Sequence, residues 1–136
     1  MRILVIDGMG GGLGKAVIET IRANIPDALI IALGTNALAT SAMLRAGANM
    51  GATGENAIAF NCGHADYIVG AIGIILTNAM LGEISPRIAQ AVSGSSARKV
   101  LINAPKCGVH IVGVAEKPMA QYIAEVPDII RGLSAE

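Results

Sequence analysis

The segment "IDGMGGGLGKA", residues 6–16, places five glycines among the seven positions from Gly8 to Gly14. It follows the run Arg2 to Asp7, whose apolar interior is of the kind that forms a central parallel strand buried on both faces. A strand that turns through bare backbone into a helix brings unpaired N–H groups and the positive end of a helix dipole to one point, which suits a phosphate. The chain downstream must then supply the helices and further strands that bury such a strand.

It does so in alternation. The first helix begins inside the loop, with Val17, Ile18, Ile21 and Ile25 at buried-stripe spacing and Lys15, Glu19 and Arg22 on the wet side. Pro26-Asp27 stops it. Residues 28–33, "ALIIAL", read as the second strand, ended by Gly34, and Asn36 is placed to cap a helix running to about Ala46. Gly47 ends that helix, and "ANMGA" fits a short edge strand. Thr53 is suited to cap a third helix reaching about His64, with Glu55 in its first turn where the dipole favours an acid. "DYIVGAI", 66–72, is the next buried strand, and a short helical piece follows through Met80. Ser85 with Pro86 opens a helix to about Val92, and "RKVLIN", 98–103, is another strand.

So few residues separate that strand from "VHIVGV", 109–114, that the pair reads as an antiparallel hairpin, since a parallel return needs a crossover. Pro118 opens a terminal helix that Pro127 is expected to break or kink. The pattern predicts one α/β domain over residues 1–136: three layers, Rossmann-like, with a mostly parallel sheet, a C-terminal β-hairpin edge and a terminal helix.

Composition removes several classes of function. Ten basic and ten acidic side chains cancel, and one Phe, two Tyr and no Trp leave no stacking set, so nucleic acid is not an expected partner. Hydrophobic residues make up 53%, yet the uncharged stretches 28–44 and 67–82 carry Gly, Thr and Asn and fall short of a membrane span of about 18 to 20 apolar residues. A strand that starts at once with no leader pattern, and two isolated cysteines, Cys62 and Cys107, point to the cytoplasm. From Ala28 to Gly82 the only formal charges are Arg45, Glu55 and Asp66, too few to cover a monomer's exterior, so a homo-oligomer, in the simplest case a dimer, is expected.

The glycine spacing selects among phosphate loops. The GxxxxGK[ST] pattern fails, because Met9 stands at the first glycine and Ala16 follows Lys15. Strict GxGxxG fails at Leu13. Gly8, Gly11 and Gly14 fit GxxGxxG, and Gly8, Gly10 and Gly14 fit GxGxxxG, spacings that resemble the dinucleotide loops of short-chain and extended short-chain dehydrogenases. On that basis Asp7, Gly8, Met9, Gly10, Gly11, Gly12, Leu13, Gly14 and Lys15 are candidate cofactor-binding residues. Where an acid would hold an adenosine ribose, at the end of the second strand, the sequence has Gly34, Thr35 and Asn36. Thr35 and Asn36 can donate to a 2′-phosphate, which tilts the expected cofactor toward NADP or another nucleotide, and Asn36 can equally serve as a helix cap alone. "ADYIVGAIG" resembles the dehydrogenase strand that lines the adenine and ribose pocket, which implies that Gly70, Ala71, Ile72 and Gly73 lie near the ligand. The alternative is that these glycines only let a helix approach the sheet.

Asp7 would repel a phosphate unless it pairs with Lys15, accepts loop N–H groups or holds a cation, and bracing of the loop is the expected role. The haloacid-dehalogenase pattern needs a second Asp two positions on, where Met9 stands. The Tyr-x-x-x-Lys pair of short-chain dehydrogenases is absent, since Ala71 and Val126 follow Tyr67 and Tyr122 at that spacing. Glu55 and Glu83 remain as acid/base candidates, each with the alternative of a solvated cap. Cys62, His64 and Asp66, with Cys107 and His110, could hold a metal only if the two groups converged. Residues two apart on a helix point roughly 200° apart, so no metal site is expected.

Taken together, "VIDGMGGGLGK", "IALGTNALATSAML", "GATGENAI", "VGAIGII" and "MLGEISP" resemble a family of short bacterial Rossmann-like proteins classed as a domain of unknown function. The resemblance implies the fold. The residues themselves lead to the expectation of a small protein that binds a nucleotide or dinucleotide, or else of an enzyme acting on a phosphorylated metabolite in a site completed across a dimer.

Overall fold

A computed structural model describes residues 1–104 and 108–136. Its centre is a parallel sheet of five strands, β1 (Arg2–Asp7), β2 (Leu29–Gly34), β3 (Met50–Thr53), β4 (Tyr67–Ala71) and β5 (Arg98–Ile102), in the order β3-β2-β1-β4-β5. The uninterrupted apolar runs explain the central positions: Ile3, Leu4 and Val5 are fully buried, paired on one side with Ile30, Ile31 and Ala32 and on the other with Tyr67, Ile68 and Val69.

Among the described residues five α-helices cover the sheet: α1 (Gly12–Asn24), α2 (Ala37–Arg45), α3 (Glu55–Asn61), α4 (Pro86–Ser93) and α5 (Met119–Ser134). Strand alternation divides the core between the two faces. Ile3, Val5, Ile30 and Ala32 pack with Val17, Ile18 and Ile21 of α1, Met43 of α2 and Ile123, Val126 and Ile130 of α5. Leu4, Ile6, Ile31 and Leu33 point the other way and pack with Ile58 of α3 and Ile88 and Val92 of α4. Helix, sheet and helix form the three layers expected of an α/β chain. Two caps sit where the sequence puts them: the Asn36 side chain accepts from the Ala39 amide, and Ser85 accepts from the Ile88 amide with Pro86 in the first turn.

Several expectations are corrected. The hairpin is not formed: residues 109–114 are not a strand, 111–114 are exposed, and every strand pair among the described residues is parallel. β-branched residues favour a strand only where a neighbouring strand receives them, and here "VHIVGV" passes over the carboxyl end of the sheet instead. Residues 105–107, Cys107 among them, lie outside the described residues. Pro127 does not break α5, which runs through it to Ser134. Its ring is buried, and packing of that helix face offsets the one backbone donor a proline removes. Thr53 ends β3 rather than capping α3; its hydroxyl meets that of Thr40 at 2.7 Å, and Gly54, with φ 102°, takes the cap position. The third helix ends at Asn61, before His64.

Candidate functional site

The strand order places β1 between β2 and β4, so successive crossovers leave the first strand in opposite directions. In an open parallel sheet that is the point outside the carboxyl ends where ligands bind. The glycine loop sits there.

Asp7, the last residue of β1, organises the loop. Its Oδ1 accepts from the Gly8 amide at 2.8 Å and its Oδ2 from the Gly14 amide at 2.6 Å, so one carboxylate ties the loop's first residue to the first turn of α1. Burial pushes its carboxyl group above the usual range, the two amides pull it back, and the nearby Glu83 charge raises it further. Of the roles open to Asp7, the structure realises loop bracing through N–H groups. Lys15 is exposed.

The glycines divide by what the fold requires of them. Gly11 turns back to donate to the Gly8 carbonyl at 3.0 Å in a left-handed conformation, φ 75°, and a Cβ there would lie 2.8 Å from Ala39 Cα. Gly14 brings α1 onto the sheet, since a Cβ would meet Met43 Sδ at 2.5 Å and Asp7 Cβ at 2.9 Å. Gly8 lies beneath Glu83, Thr35 and Met80. Gly10 and Gly12 differ: both are exposed, neither has the left-handed φ, and nothing lies within 4 Å of a Cβ at either position. Folding makes no use of their bareness. The N-cap residue of α1, Gly11, has no side chain to cap the helix, and Asp7 takes only the Gly14 amide, so the amides of Gly12 and Leu13, without intrahelical partners, are available to an anion.

At the end of β2 the structure supplies the acid that the local sequence lacks. Glu83 Oε1 accepts from the Met9 amide at 2.6 Å and from the Thr35 hydroxyl at 2.9 Å, and Oε2 accepts from the Asn36 amide group at 3.1 Å. Asn36 also donates to the Met9 carbonyl at 2.9 Å while its oxygen caps α2, so the helix-cap role is realised and the amide group is turned toward the loop and Glu83. The Met9 amide, with the Thr35 and Asn36 side chains, holds the Glu83 carboxyl group below its usual range, partial burial opposing them. Gly34 is spent on packing: a Cβ there would overlap Thr40.

The β4 end is mixed. Gly70 answers to packing, since a Cβ would meet the Ile6 carbonyl at 2.8 Å and Ile74 at 2.9 Å, and Gly73 is buried in the short 3-10 turn Ile72–Ile75. Ala71 ends the strand, and Ile72 lines a cavity of about 490 Å³ between the end of β5, the first half of α5 and residues 111–117. Asn103, just beyond β5, lines both this cavity and a neighbouring one of about 390 Å³, and its Oδ1 is buried with no hydrogen-bond partner among the described residues. A concave volume of about 530 Å³ at the opposite, amino edge is lined by Met1, Asp66 and Arg98 and lies away from the loop. Asn103 escapes a sequence reading because a lone Asn after a strand looks like any turn residue.

The remaining candidates make no hydrogen bond to the loop among the described residues. Glu55 is exposed in the first turn of α3; the Ser85 hydroxyl, with Arg87 at 3.5 Å, lowers its carboxyl group against a small desolvation. Cys62 is buried, and desolvation pushes its thiol up to about 11 despite Lys99 nearby. His64 stacks on Phe60 with ring centroids 4.7 Å apart, and His110 lines the smaller cavity at the other edge. No helix among the described residues is long and apolar enough to cross a membrane.

Over residues 2–134 the chain matches the model of DUF3842, described as a domain of unknown function, and so belongs to that family. No curated protein matches it.

Proposed function

We propose that this member of the DUF3842 family binds a nucleotide or dinucleotide across the carboxyl edge of its sheet, phosphates on the glycine loop. The observation that carries the reading is the pair Gly10 and Gly12, exposed and bare where the fold has no need of bareness, beside the Gly12 and Leu13 amides that open α1 without intrahelical partners at the switch point of the sheet. A loop that merely turned the chain would need Gly8, Gly11 and Gly14 and could carry side chains at the other two positions.

Two features share the carboxyl edge of the sheet with the loop: Thr35, Asn36 and Glu83 at the end of β2, and the largely apolar cavity bordered by Ile72 and Asn103 beyond β4 and β5. A ligand with a diphosphate centre and two different ends matches that layout better than a single phosphate does. The reading includes self-association: Leu44 and Met50 are exposed beside the open edge of β3, within the charge-poor stretch 28–82, where a two-fold dimer would cover them. Sedimentation of the purified chain tests that component.

Thermal shift with NAD, NADP, FMN and ATP with magnesium tests the ligand. A ligand at about 100 times its Kd stabilises by roughly 2.7 kcal/mol and raises Tm by several degrees. Ala at position 10 or 12 should leave the ligand-free Tm within about 2 °C and abolish most of the ligand-induced shift. The absence of a shift with every nucleotide, or a shift that survives both substitutions, counts against the loop as a phosphate site.

A further inference from the structure

We propose that Glu83 is the ribose-holding acid of this sheet, delivered to the end of β2 from the turn beyond β4, and that it selects a nucleotide with a free 2′-hydroxyl over one phosphorylated there. The inference rests on the nucleotide reading and reverses the NADP preference that Thr35 and Asn36 suggest when read alone.

Position comes first. A dinucleotide sheet places an Asp or Glu at the end of its second strand, next to the first turn of the glycine loop, where the carboxylate accepts hydrogen bonds from the ribose hydroxyls. Here the strand ends in Gly34, Thr35 and Asn36, but the Glu83 carboxylate bonds to both Thr35 and Asn36 and, through Oε1, to the Met9 amide of the loop. One side chain thus spans the two elements that the β2 acid normally spans. Gly8 lies so close beneath it that a Cβ would stand 2.5 Å from Oε1.

Charge comes second. Donors from three residues hold the carboxylate, two on Oε1 and one on Oε2, so one lone pair remains on Oε2 to accept from a ribose hydroxyl. A 2′-phosphate at the same place would face the carboxylate directly. The sequence offers no Lys or Arg between positions 23 and 44 to offset that repulsion.

The backbone supplies an independent sign. The turn that carries Glu83 holds three non-glycine residues in the left-handed region, Asn78 at φ 68°, Met80 at φ 57° and Leu81 at φ 57°, followed by Gly82 at φ 91°. Leu81 is 95% exposed, so no apolar packing of its side chain accounts for its conformation. Backbone bonds from Gly82 to Asn78, Glu83 to Met80 and Ile84 to Ala79 hold the turn closed. Sparsely populated backbone of this kind concentrates where a side chain must be aimed, and the side chain aimed here is Glu83.

Titration calorimetry with NAD and NADP on the wild-type protein, Glu83→Gln and Glu83→Asp tests the proposal, with thermal melts confirming that each variant is folded. Wild type should bind NAD at least about tenfold more tightly than NADP, and Glu83→Gln should bring the two within about threefold by weakening NAD and strengthening NADP. Glu83→Asp, which keeps the charge, should retain the NAD preference. Equal affinities in wild type, an NADP preference, or tighter NAD binding by Glu83→Gln would overturn the assignment while leaving nucleotide binding intact; the last result would make the glutamate a plug in the site. Binding of neither dinucleotide by any of the three folded proteins would remove the dinucleotide reading itself and this inference with it.

Discussion

The Glu83 carboxylate accepts a hydrogen bond from the Met9 amide at 2.6 Å, across 74 residues of sequence. Together with the two bonds Asp7 accepts from Gly8 and Gly14, it makes the glycine loop a backbone ribbon held between two acids in opposite environments. Burial raises Asp7 above its ordinary value, and hydrogen bonding from Met9 lowers Glu83 below its own. The first acid shapes the loop from beneath and the second fixes its outer turn to the end of β2.

These opposite shifts give opposite pH dependences. Glu83 binds its proton less tightly in the folded chain than in the unfolded one, so its contribution to stability is present above its ordinary value of 4.5 and is lost as pH falls through the folded value. Asp7 binds its proton more tightly when folded, so its ionisation costs stability as pH rises from 3.8 through its folded value. The Tm difference between wild type and Glu83→Gln should therefore be widest near neutrality and shrink toward acid. A difference that stays constant with pH would mean that folding does not favour the ionised form of Glu83.

Asp7→Ala leaves the Gly8 and Gly14 amides buried without an acceptor. Each such donor costs roughly 1 to 3 kcal/mol, and a total loss of about 2 to 6 kcal/mol is expected by urea denaturation. Asp7→Asn should fall between the variant and wild type, because the carboxamide oxygen still accepts from one amide while its NH2 group faces the other. An unchanged midpoint for Asp7→Ala would show that water satisfies both amides.

The glycines can be separated by experiment. Gly11→Ala forces a side chain into a left-handed position and against Ala39, and should cost about 2 to 4 kcal/mol. Gly10→Ala meets no atom within 4 Å and should cost less than about 0.5 kcal/mol. Equal losses at the two positions would place Gly10 among the turn-forming glycines and remove the main support for a ligand at the loop.

How much of this was legible in the chain depended on how local each signal was. The apolar interior of Arg2–Asp7, the Asn36 and Ser85 caps and the bracing role of Asp7 each rest on contacts within a few residues, and the structure realises all of them. "VHIVGV" has the composition of a strand but no neighbouring strand to receive it, and partner availability is a property of the whole sheet. Pro127 reads as a helix breaker until its buried packing is known. In "LGEIS" Glu83 reads as an acid/base candidate or a solvated cap, and its hold on the end of β2 is hidden because its Thr35 and Asn36 partners lie 48 and 47 residues earlier. Asn103 acquires interest only from the cavities it borders.

Arg22 offers a control at the other end of the sheet. Its guanidinium donates from Nη1 to the Pro26 and Ala28 carbonyls at 2.9 and 2.8 Å, from Nε and Nη2 to the Gly47 carbonyl at 3.2 and 3.0 Å, and from Nη2 to Asn49 Oδ1 at 2.6 Å. Asn49 Oδ1 in turn accepts from the Ile30 amide at 2.9 Å, so one planar fork joins α1 to the loops that start β2 and β3. Lysine offers a single point charge that cannot span those acceptors. Arg22→Ala should lose about 2 to 4 kcal/mol, and Arg22→Lys should recover less than half of that. Because these contacts lie at the amino edge, the folded fraction of either variant should keep wild-type affinity for whichever nucleotide the loop binds. Reduced affinity in the folded fraction would mean that the amino-edge tether and the loop are coupled through α1, whose first turn is the phosphate end of the proposed site.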